Sequence, residues 1–160
     1  METIIPSQSG YADVNGLAMY YEVHGAGQPL ILLHGGLGLT SMFGDVLPLL
    51  AEDRQVIAVD LQAHGRTADI DRPMRYELMG DDIAALIEHL GLTKTDLMGY
   101  SLGGGVALRC AIQHPELVRK LVVVSTPFSQ NGWYPEVVAS MAQVNGTAAE
   151  FMKESPMYQE

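Results

Sequence analysis

Five consecutive residues, Gly99-Tyr100-Ser101-Leu102-Gly103, have the types and spacing that a nucleophilic serine requires. The apolar segment before them predicts a short buried strand, and the segment 104–114 predicts a helix. At such a strand-to-helix turn the glycines let the backbone bend sharply, which raises the serine hydroxyl above the end of the sheet. We therefore interpret Ser101 as a nucleophile that attacks a carbonyl carbon. The alternative is a glycine-rich turn that carries a solvated serine.

A second glycine-rich segment, His34-Gly35-Gly36-Leu37-Gly38, follows an apolar run at 30–33. Attack on a carbonyl creates a negatively charged oxygen, which two backbone N–H groups stabilise well because they are fixed in place before the reaction. One comes from the residue after the nucleophile, and the other from a loop after an earlier strand. This predicts an oxyanion hole formed by the N–H groups of Gly36 and Leu102. A connector with no catalytic part is the alternative.

Three motifs together resemble the N-terminal part of the single-domain, cap-bearing α/β-hydrolases. They are Leu33-His34-Gly35-Gly36, Asp60-Leu61-Gln62-Ala63-His64-Gly65-Arg66 and Gly99-Tyr100-Ser101-Leu102-Gly103-Gly104. The family includes esterases, lactonases and carbon–carbon bond hydrolases. The resemblance covers about residues 11–126 and implies an α/β fold, a mostly parallel sheet with helices on both faces. It implies a hydrolase core at 1–126 that lacks its C-terminal strands, and the beginning of a helical cap at 127–160.

The reaction implied by this resemblance needs no cofactor. Ser101 would form an acyl-enzyme with a small carboxylic ester, a lactone or a related acyl compound. A serine at this turn, rather than an aspartate or a cysteine, disfavours epoxide opening, haloalkane dehalogenation and thiol-based lactone hydrolysis. Asp60, at the end of its strand, is expected to order the following loop. Arg66 either approaches an anionic substrate or is a solvated loop residue.

The chain does not contain the other two members of a catalytic triad in the expected order. In this family an acid and then a histidine follow the serine. After Ser101 the only histidine is His114, and there is no aspartate. A helix that rises 1.5 Å per residue carries His114 about 15 Å from the serine end, and Glu116 is equally remote. We therefore predict that the catalytic acid and histidine are not in this chain, which would be an N-terminal portion. The alternative function is a non-catalytic or incomplete chain that acts only as one half of an assembly.

Strands that alternate with helices along the chain predict a mostly parallel sheet covered on both faces. We expect strands at 11–14, 17–23, 30–33, 56–59, 95–98 and 121–124, and helices at 42–51, 76–90 and 104–114. Asn15-Gly16 favours a tight turn between the first two strands, because both residues tolerate positive φ. Gly91 suits the end of the second helix. The helix at 42–51 is expected to bury Phe43, Val46, Leu47 and Leu50 on one face.

Composition and charge argue against two classes of partner and favour a small-molecule substrate. The net charge of −10 argues against binding to nucleic acid or to an anionic membrane surface. The single cysteine, Cys110, falls in the apolar pattern of a helix and is expected in the core. His34 and His64 are conceivable metal ligands, but no metal-binding motif accompanies them, so hydrogen bonding within loops is the favoured role. With no signal sequence and no apolar stretch of about 18 residues, a cytoplasmic protein is expected.

The last predicted strand, 121–124, is apolar throughout and is expected to be flanked by a further strand in the family. Without that neighbour its backbone groups are a template for pairing with another chain. We therefore expect self-association, or pairing with a C-terminal complement, through this strand. The residues Phe128, Trp133, Tyr134, Met141, Phe151 and Met152 follow it and are expected either to line an apolar acyl pocket or to pack within the cap.

Overall fold

The computed structural model describes residues 5–141, and its centre is a six-stranded sheet. The strands are β1 (Gln8–Val14), β2 (Leu17–His24), β3 (Gln28–Leu33), β4 (Arg54–Val59), β5 (Thr95–Tyr100) and β6 (Val118–Val124). The helices are α1 (Val46–Ala51), α2 (Tyr76–His89), α3 (Leu102–Gln113) and α4 (Pro135–Met141). The order across the sheet is β1-β2-β4-β3-β5-β6. β2 pairs antiparallel with β1 and with β4. β3 pairs parallel with β4 and β5, and β5 pairs parallel with β6. The predicted fold class is confirmed.

The hairpin between β1 and β2 turns at Asn15 and Gly16, as the sequence predicts. Their φ angles are 50° and 82°, so both residues adopt the left-handed conformation that a two-residue hairpin of this kind requires. Val14 pairs directly with Leu17 across the turn. The turn therefore sets the register of the first two strands.

Both faces of the central strands are buried, which explains why their sequences are apolar without alternation. Ile31, Leu33, Ile57 and Val59 belong to the larger hydrophobic cluster, together with buried residues of α2 and α3. Leu30, Leu32, Val56 and Ala58 form a smaller cluster with Leu47 of α1. The strands that carry the motif segments at their carboxyl ends are thus held in the middle of the molecule's core.

The predicted helix at 42–51 is wrong in its first half. The structure has a 3₁₀ turn at Thr40–Phe43, and α1 begins only at Val46. Gly44 interrupts the two, with φ 42° and ψ −124°. The reason is Pro48, which has no N–H and is tolerated only in the first turn of a helix. Val46 is consequently 48% exposed rather than buried, while Leu47 is buried and Phe43 and Leu50 are partly buried.

The elements around the serine differ from the prediction by about one half-turn of helix. β5 continues to Tyr100, and α3 begins at Leu102 instead of Gly104. Ser101 is therefore the residue that joins the strand directly to the helix. The turn is tighter than the sequence pattern alone indicated.

In the part of the chain that the structure describes, β6 occupies one edge of the sheet and pairs only with β5. Val122 and Val123 are 47% and 38% exposed. The strand predicted at 121–124 is thus an edge strand among the described residues.

Contacts divide the chain into two compact units, Met1–Thr126 and Pro127–Glu160. The second unit contains a 3₁₀ turn at Gln130–Gly132 and α4. Its interpretation as the beginning of a cap stays a prediction. None of the helices in the described part of the chain is long and apolar enough to span a bilayer.

Thr95, at the start of β5, offers a stability prediction. Its side chain is fully buried, and its hydroxyl has no hydrogen-bond partner within residues 5–141. Thr95→Val keeps the shape and removes a hydroxyl that folding strips of water without compensation. We expect the free energy of unfolding to rise by about 1 kcal/mol in urea denaturation. Thr67→Val is the matched control and should lower it, because the Thr67 hydroxyl donates to Asp60 O at 2.7 Å and accepts from Tyr20 N at 2.9 Å.

Candidate active site

Ser101 lies in a strained backbone conformation between β5 and α3. Its φ is 50° and its ψ is −113°, a region that costs a non-glycine residue about 1–3 kcal/mol. Its N–H donates to Val124 O at 2.9 Å, which ties the turn to the end of β6. Its Oγ forms no hydrogen bond within residues 5–141, and the residue is partly buried. A strained, unpaired hydroxyl at the carboxyl end of a parallel strand is the arrangement expected of a nucleophile.

The glycines of the turn are required by close packing of backbone against backbone. A Cβ at Gly99 would lie 2.2 Å from Gly103 O. A Cβ at Gly103 would lie 2.4 Å from Leu33 O and 2.5 Å from His34 O. These distances are far below any van der Waals contact, so a larger residue at either position would force α3 away from β3 and β5.

The loop after β3 lies beside Ser101. Gly103 N donates to His34 O at 3.0 Å, and a Cβ built on Gly35 would be 3.4 Å from Ser101 Cβ. Gly36 is exposed and has open space around it. Within residues 5–141 the N–H groups of Gly36 and Leu102 donate to no other protein group. The structure therefore brings the predicted serine and the loop of its predicted oxyanion donors together, and leaves both donors free.

His34 is a structural residue of this loop, and it is not positioned to act as a base. Its ring is fully buried, and Nε2 accepts a hydrogen bond from Leu61 N at 3.0 Å. The proton therefore resides on Nδ1, which donates to Gly35 O at 2.7 Å. Burial lowers the pKa of His34 below its usual value, which keeps the ring neutral.

The ring of His64 lies 5.1 Å from that of His34, centroid to centroid. Its Nδ1 is 2.8 Å from Gln62 O. Both histidines thus hydrogen-bond the loop backbone, which is the role that the sequence favoured for them.

Asp60 orders the loop after β4, as predicted. Its buried carboxylate accepts from Thr40 N at 2.7 Å, from Arg66 N at 2.9 Å and from Arg66 Nε at 3.0 Å. Gly65, at φ 52°, has no room for a side chain because a Cβ would lie 2.4 Å from Asp60 Oδ2. The carboxylate therefore acts as the centre of a turn rather than as an acid or base.

Arg66 is held by the same network, and its side chain is 38% exposed. Its Nη1 is 2.7 Å from Glu22 Oε1, and its Cζ lies 3.8 Å from the centroid of the Tyr20 ring. With Asp60 as a third partner, the guanidinium is committed to joining β2 to the loop. An anionic substrate would have to displace these contacts.

The remaining histidine after the serine, His114, caps the far end of α3. Its Nε2 is 2.8 Å from Asp81 Oδ1, and Glu116 lies on its other side at 3.9 Å. Ser101 is at the opposite end of the same helix. His114 and Glu116 therefore lie at the end of α3 away from Ser101, as the sequence predicts.

Cys110 is a core residue, as predicted, and offers no second nucleophile. It is fully buried in α3. Burial raises the pKa of its thiol to about 12, so the reactive thiolate is not populated near neutral pH.

Two residues directly after β6, Ser125 and Thr126, lie in the segment that holds the serine and were not singled out in the sequence. Thr126 Oγ1 donates to Ser101 O at 2.7 Å, and Ser125 before it has a φ of 52°. They are 24 and 25 positions along the chain from Ser101 and belong to no local motif. Sequence reasoning had no signal with which to find them.

The proposed acyl pocket is not visible in the described part of the chain. Phe128 and Tyr134 are 88% and 73% exposed. Phe151 and Met152 lie outside the described residues. The pocket stays a prediction.

A serine at a strained strand-to-helix turn, beside a glycine-rich loop on a mostly parallel sheet, defines the class as hydrolases built on an α/β sheet. Residues 28–155 match the family described as alpha/beta hydrolase fold, and the chain belongs to it.

Individual relatives have diverse names. The chain is 37% identical over 116 residues to a soluble epoxide hydrolase of Corynebacterium sp. strain C12, covering 71% of this chain and 40% of that protein. It is 34% identical over 124 residues to an sn-1-specific diacylglycerol lipase of Xenopus laevis, covering 74% and 39%. The solved structure of the epoxide hydrolase CorEH superimposes with a TM-score of 0.75 at 30% identity, covering 94% and 53%. The chain spans less than half the length of the curated relatives it matches.

Proposed function

We propose that this chain is the N-terminal part of a serine hydrolase that acts on a small carboxylic ester, a lactone or a related acyl compound. The observation that carries the proposal is Ser101, whose backbone is strained and whose hydroxyl has no hydrogen-bond partner within residues 5–141; the N–H groups of Gly36 and Leu102 likewise have none there. The proposed compartment is the cytoplasm, and the proposed ligand is the small acyl substrate.

The proposed reaction has two steps. Ser101 Oγ attacks the carbonyl carbon and passes its proton to a histidine, while the carbonyl oxygen becomes an oxyanion held by Gly36 N–H and Leu102 N–H. The tetrahedral intermediate collapses, the leaving oxygen takes the proton, and an acyl-enzyme remains. Water then attacks the acyl carbon with the histidine as base, which releases the acid and restores Ser101. We propose that the histidine and its orienting acid lie outside these 160 residues.

The serine favours acyl substrates over the epoxides that the name of one relative indicates. An alkoxide that opens an epoxide forms an ether, which water cannot cleave under these conditions. A serine that attacks a carbonyl forms an ester, which water can cleave to complete the cycle. The lipase among the relatives acts on an acyl ester by its name, and its chemistry is the one that a serine supports.

The edge strand favours a second candidate, a chain that works only as one half of an assembly. Within residues 5–141, β6 has one partner in the sheet, and its outer backbone groups are available for a further strand. We propose that this edge either pairs with a C-terminal complement or mediates self-association.

The isolated 160-residue chain tests both candidates at once. We expect size-exclusion chromatography to show association, and p-nitrophenyl ester turnover to be at least about a thousandfold below that of the complete gene product, because the base is missing. A fluorophosphonate probe should label Ser101 within minutes in the complete product and slowly in the isolated chain. A monomer with ordinary turnover would contradict this, and would mean that one of the five histidines present reaches Ser101; these are His24, His34, His64, His89 and His114.

A further inference from the structure

We propose that the Thr126 hydroxyl positions the oxyanion hole by holding the peptide group between Ser101 and Leu102. Thr126 is a positioning residue in this proposal, since it touches neither substrate nor reacting atoms. The inference rests on the proposed function, because it assigns to Leu102 N–H the role of an oxyanion donor.

The hydroxyl is committed to one acceptor. Thr126 Oγ1 lies 2.7 Å from Ser101 O and 3.2 Å from Val124 O. A hydroxyl has a single proton to donate, and the shorter contact is the stronger hydrogen bond. Within residues 5–141 the other donor to Ser101 O is Gly105 N, in the first turn of α3. That hydrogen bond is longer, at 3.2 Å. Thr126 therefore supplies the main restraint on this carbonyl.

The carbonyl of Ser101 and the N–H of Leu102 are parts of one planar trans peptide. Because they point in opposite directions, fixing the oxygen fixes the direction of the N–H. A donor on the oxygen also draws electron density away from the nitrogen, which makes the N–H a stronger donor. Thr126 thus acts on the far side of the peptide from the site where the substrate oxygen would sit.

The end of β6 is shaped to deliver this hydroxyl. Ser125 adopts a φ of 52°, a strained conformation that turns the chain between Val124 and Thr126. As a result Val124 O accepts from Ser101 N while Thr126 Oγ1 donates to Ser101 O. The peptide groups on both sides of the strained serine are therefore held by the same short segment.

Gly104 makes the approach of the hydroxyl possible. A Cβ at Gly104 would lie 2.1 Å from Thr126 Oγ1 and 3.1 Å from Thr126 Cβ. The next nearest atom to that Cβ would be Gly99 O, at 3.0 Å. The space at this position is therefore reserved for the threonine hydroxyl.

The test uses Thr126→Val and Thr126→Ser in the complete gene product. For Thr126→Val we expect kcat on a p-nitrophenyl ester to fall by about tenfold or more with KM nearly unchanged, a fraction of the loss from deleting an oxyanion donor. Thr126→Ser retains the hydroxyl and should restore kcat. Thr95→Val, the same change at a buried threonine whose hydroxyl is unpaired, should leave both constants unchanged. Thr126→Ala adds no atoms that must be accommodated, and it replaces Thr126→Val in this test if the valine variant does not fold.

A trifluoromethyl ketone separates positioning from general structural damage. Ser101 Oγ adds to the ketone carbon, its proton passes to the base, and the ketone oxygen becomes the oxyanion. We expect the affinity for this inhibitor to fall in Thr126→Val by the same factor as kcat/KM. Thermal denaturation of the same variant should show that lost stability does not account for this fall. Unchanged kcat and unchanged inhibitor affinity would overturn the proposal. The proposed function fails separately, if Ser101→Ala retains turnover.

Discussion

Ser101→Ala should abolish ester hydrolysis by the complete gene product. Deleting the nucleophile removes the acyl-enzyme pathway altogether, and such losses in kcat reach about 10⁴-fold or more. The fold should survive, because Ser101 Oγ makes no hydrogen bond within residues 5–141 and alanine occupies the same backbone conformation at similar cost. We expect the melting temperature to change by no more than a few degrees. The measurements are p-nitrophenyl ester turnover and thermal denaturation of the same preparation.

Ser9→Ala is the matched control for this variant. Ser9 is exposed on β1, at the opposite edge of the sheet from β6, and should show ordinary turnover as alanine. If Ser101→Ala kept substantial turnover, the nucleophile would be a different residue. If it unfolded instead, the serine hydroxyl would have a structural role that the hydrogen bonds do not show.

Gly99→Ala should be the most destabilising methyl addition at this turn. The new Cβ would lie 2.2 Å from Gly103 O and 2.5 Å from Gly104 N, both backbone atoms of α3. Relief requires the helix to move away from β5, which breaks the packing of the strand-to-helix turn. We expect a loss of about 4 kcal/mol in the free energy of unfolding, at the high end for a single substitution. Ester turnover at a temperature where the variant remains folded should also fall sharply, since Ser101 moves with the turn.

Gly10→Ala provides the control for backbone effects of the same change. Gly10 lies in β1, has nothing within 4 Å of the added Cβ, and does not have positive φ. It should be neutral or slightly stabilising, because alanine restricts the unfolded chain. Urea denaturation of the two variants gives the comparison. Equal stability of Gly99→Ala and Gly10→Ala would show that the strand-to-helix turn can accommodate the added methyl group, contrary to its short contacts.

The sequence by itself determined the features that depend on neighbouring residues. Asn15-Gly16 specified its hairpin because the turn needs positive φ at both positions, which few other residue pairs accept. Gly91, with φ 67°, ends α2 as expected, and Leu92 N donates back to Ile87 O at 3.0 Å. The serine between glycines, after an apolar strand, likewise specified the turn that carries it. The alternation of strand and helix was sufficient for the fold class.

Only the tertiary structure decided which groups act on the serine from a distance. The neutral state of His34 follows from Leu61 N, and the hold on Ser101 O follows from Thr126, each more than 20 residues away in the chain. Arg66, in the loop after β4, likewise pairs with a residue distant in the chain, Glu22 on β2. Hydrogen bonds between distant residues leave no local pattern of residue types, because they depend on how strands are ordered in the sheet. The sequence could therefore predict the turn that carries Ser101, while the fold determined what holds that turn in place.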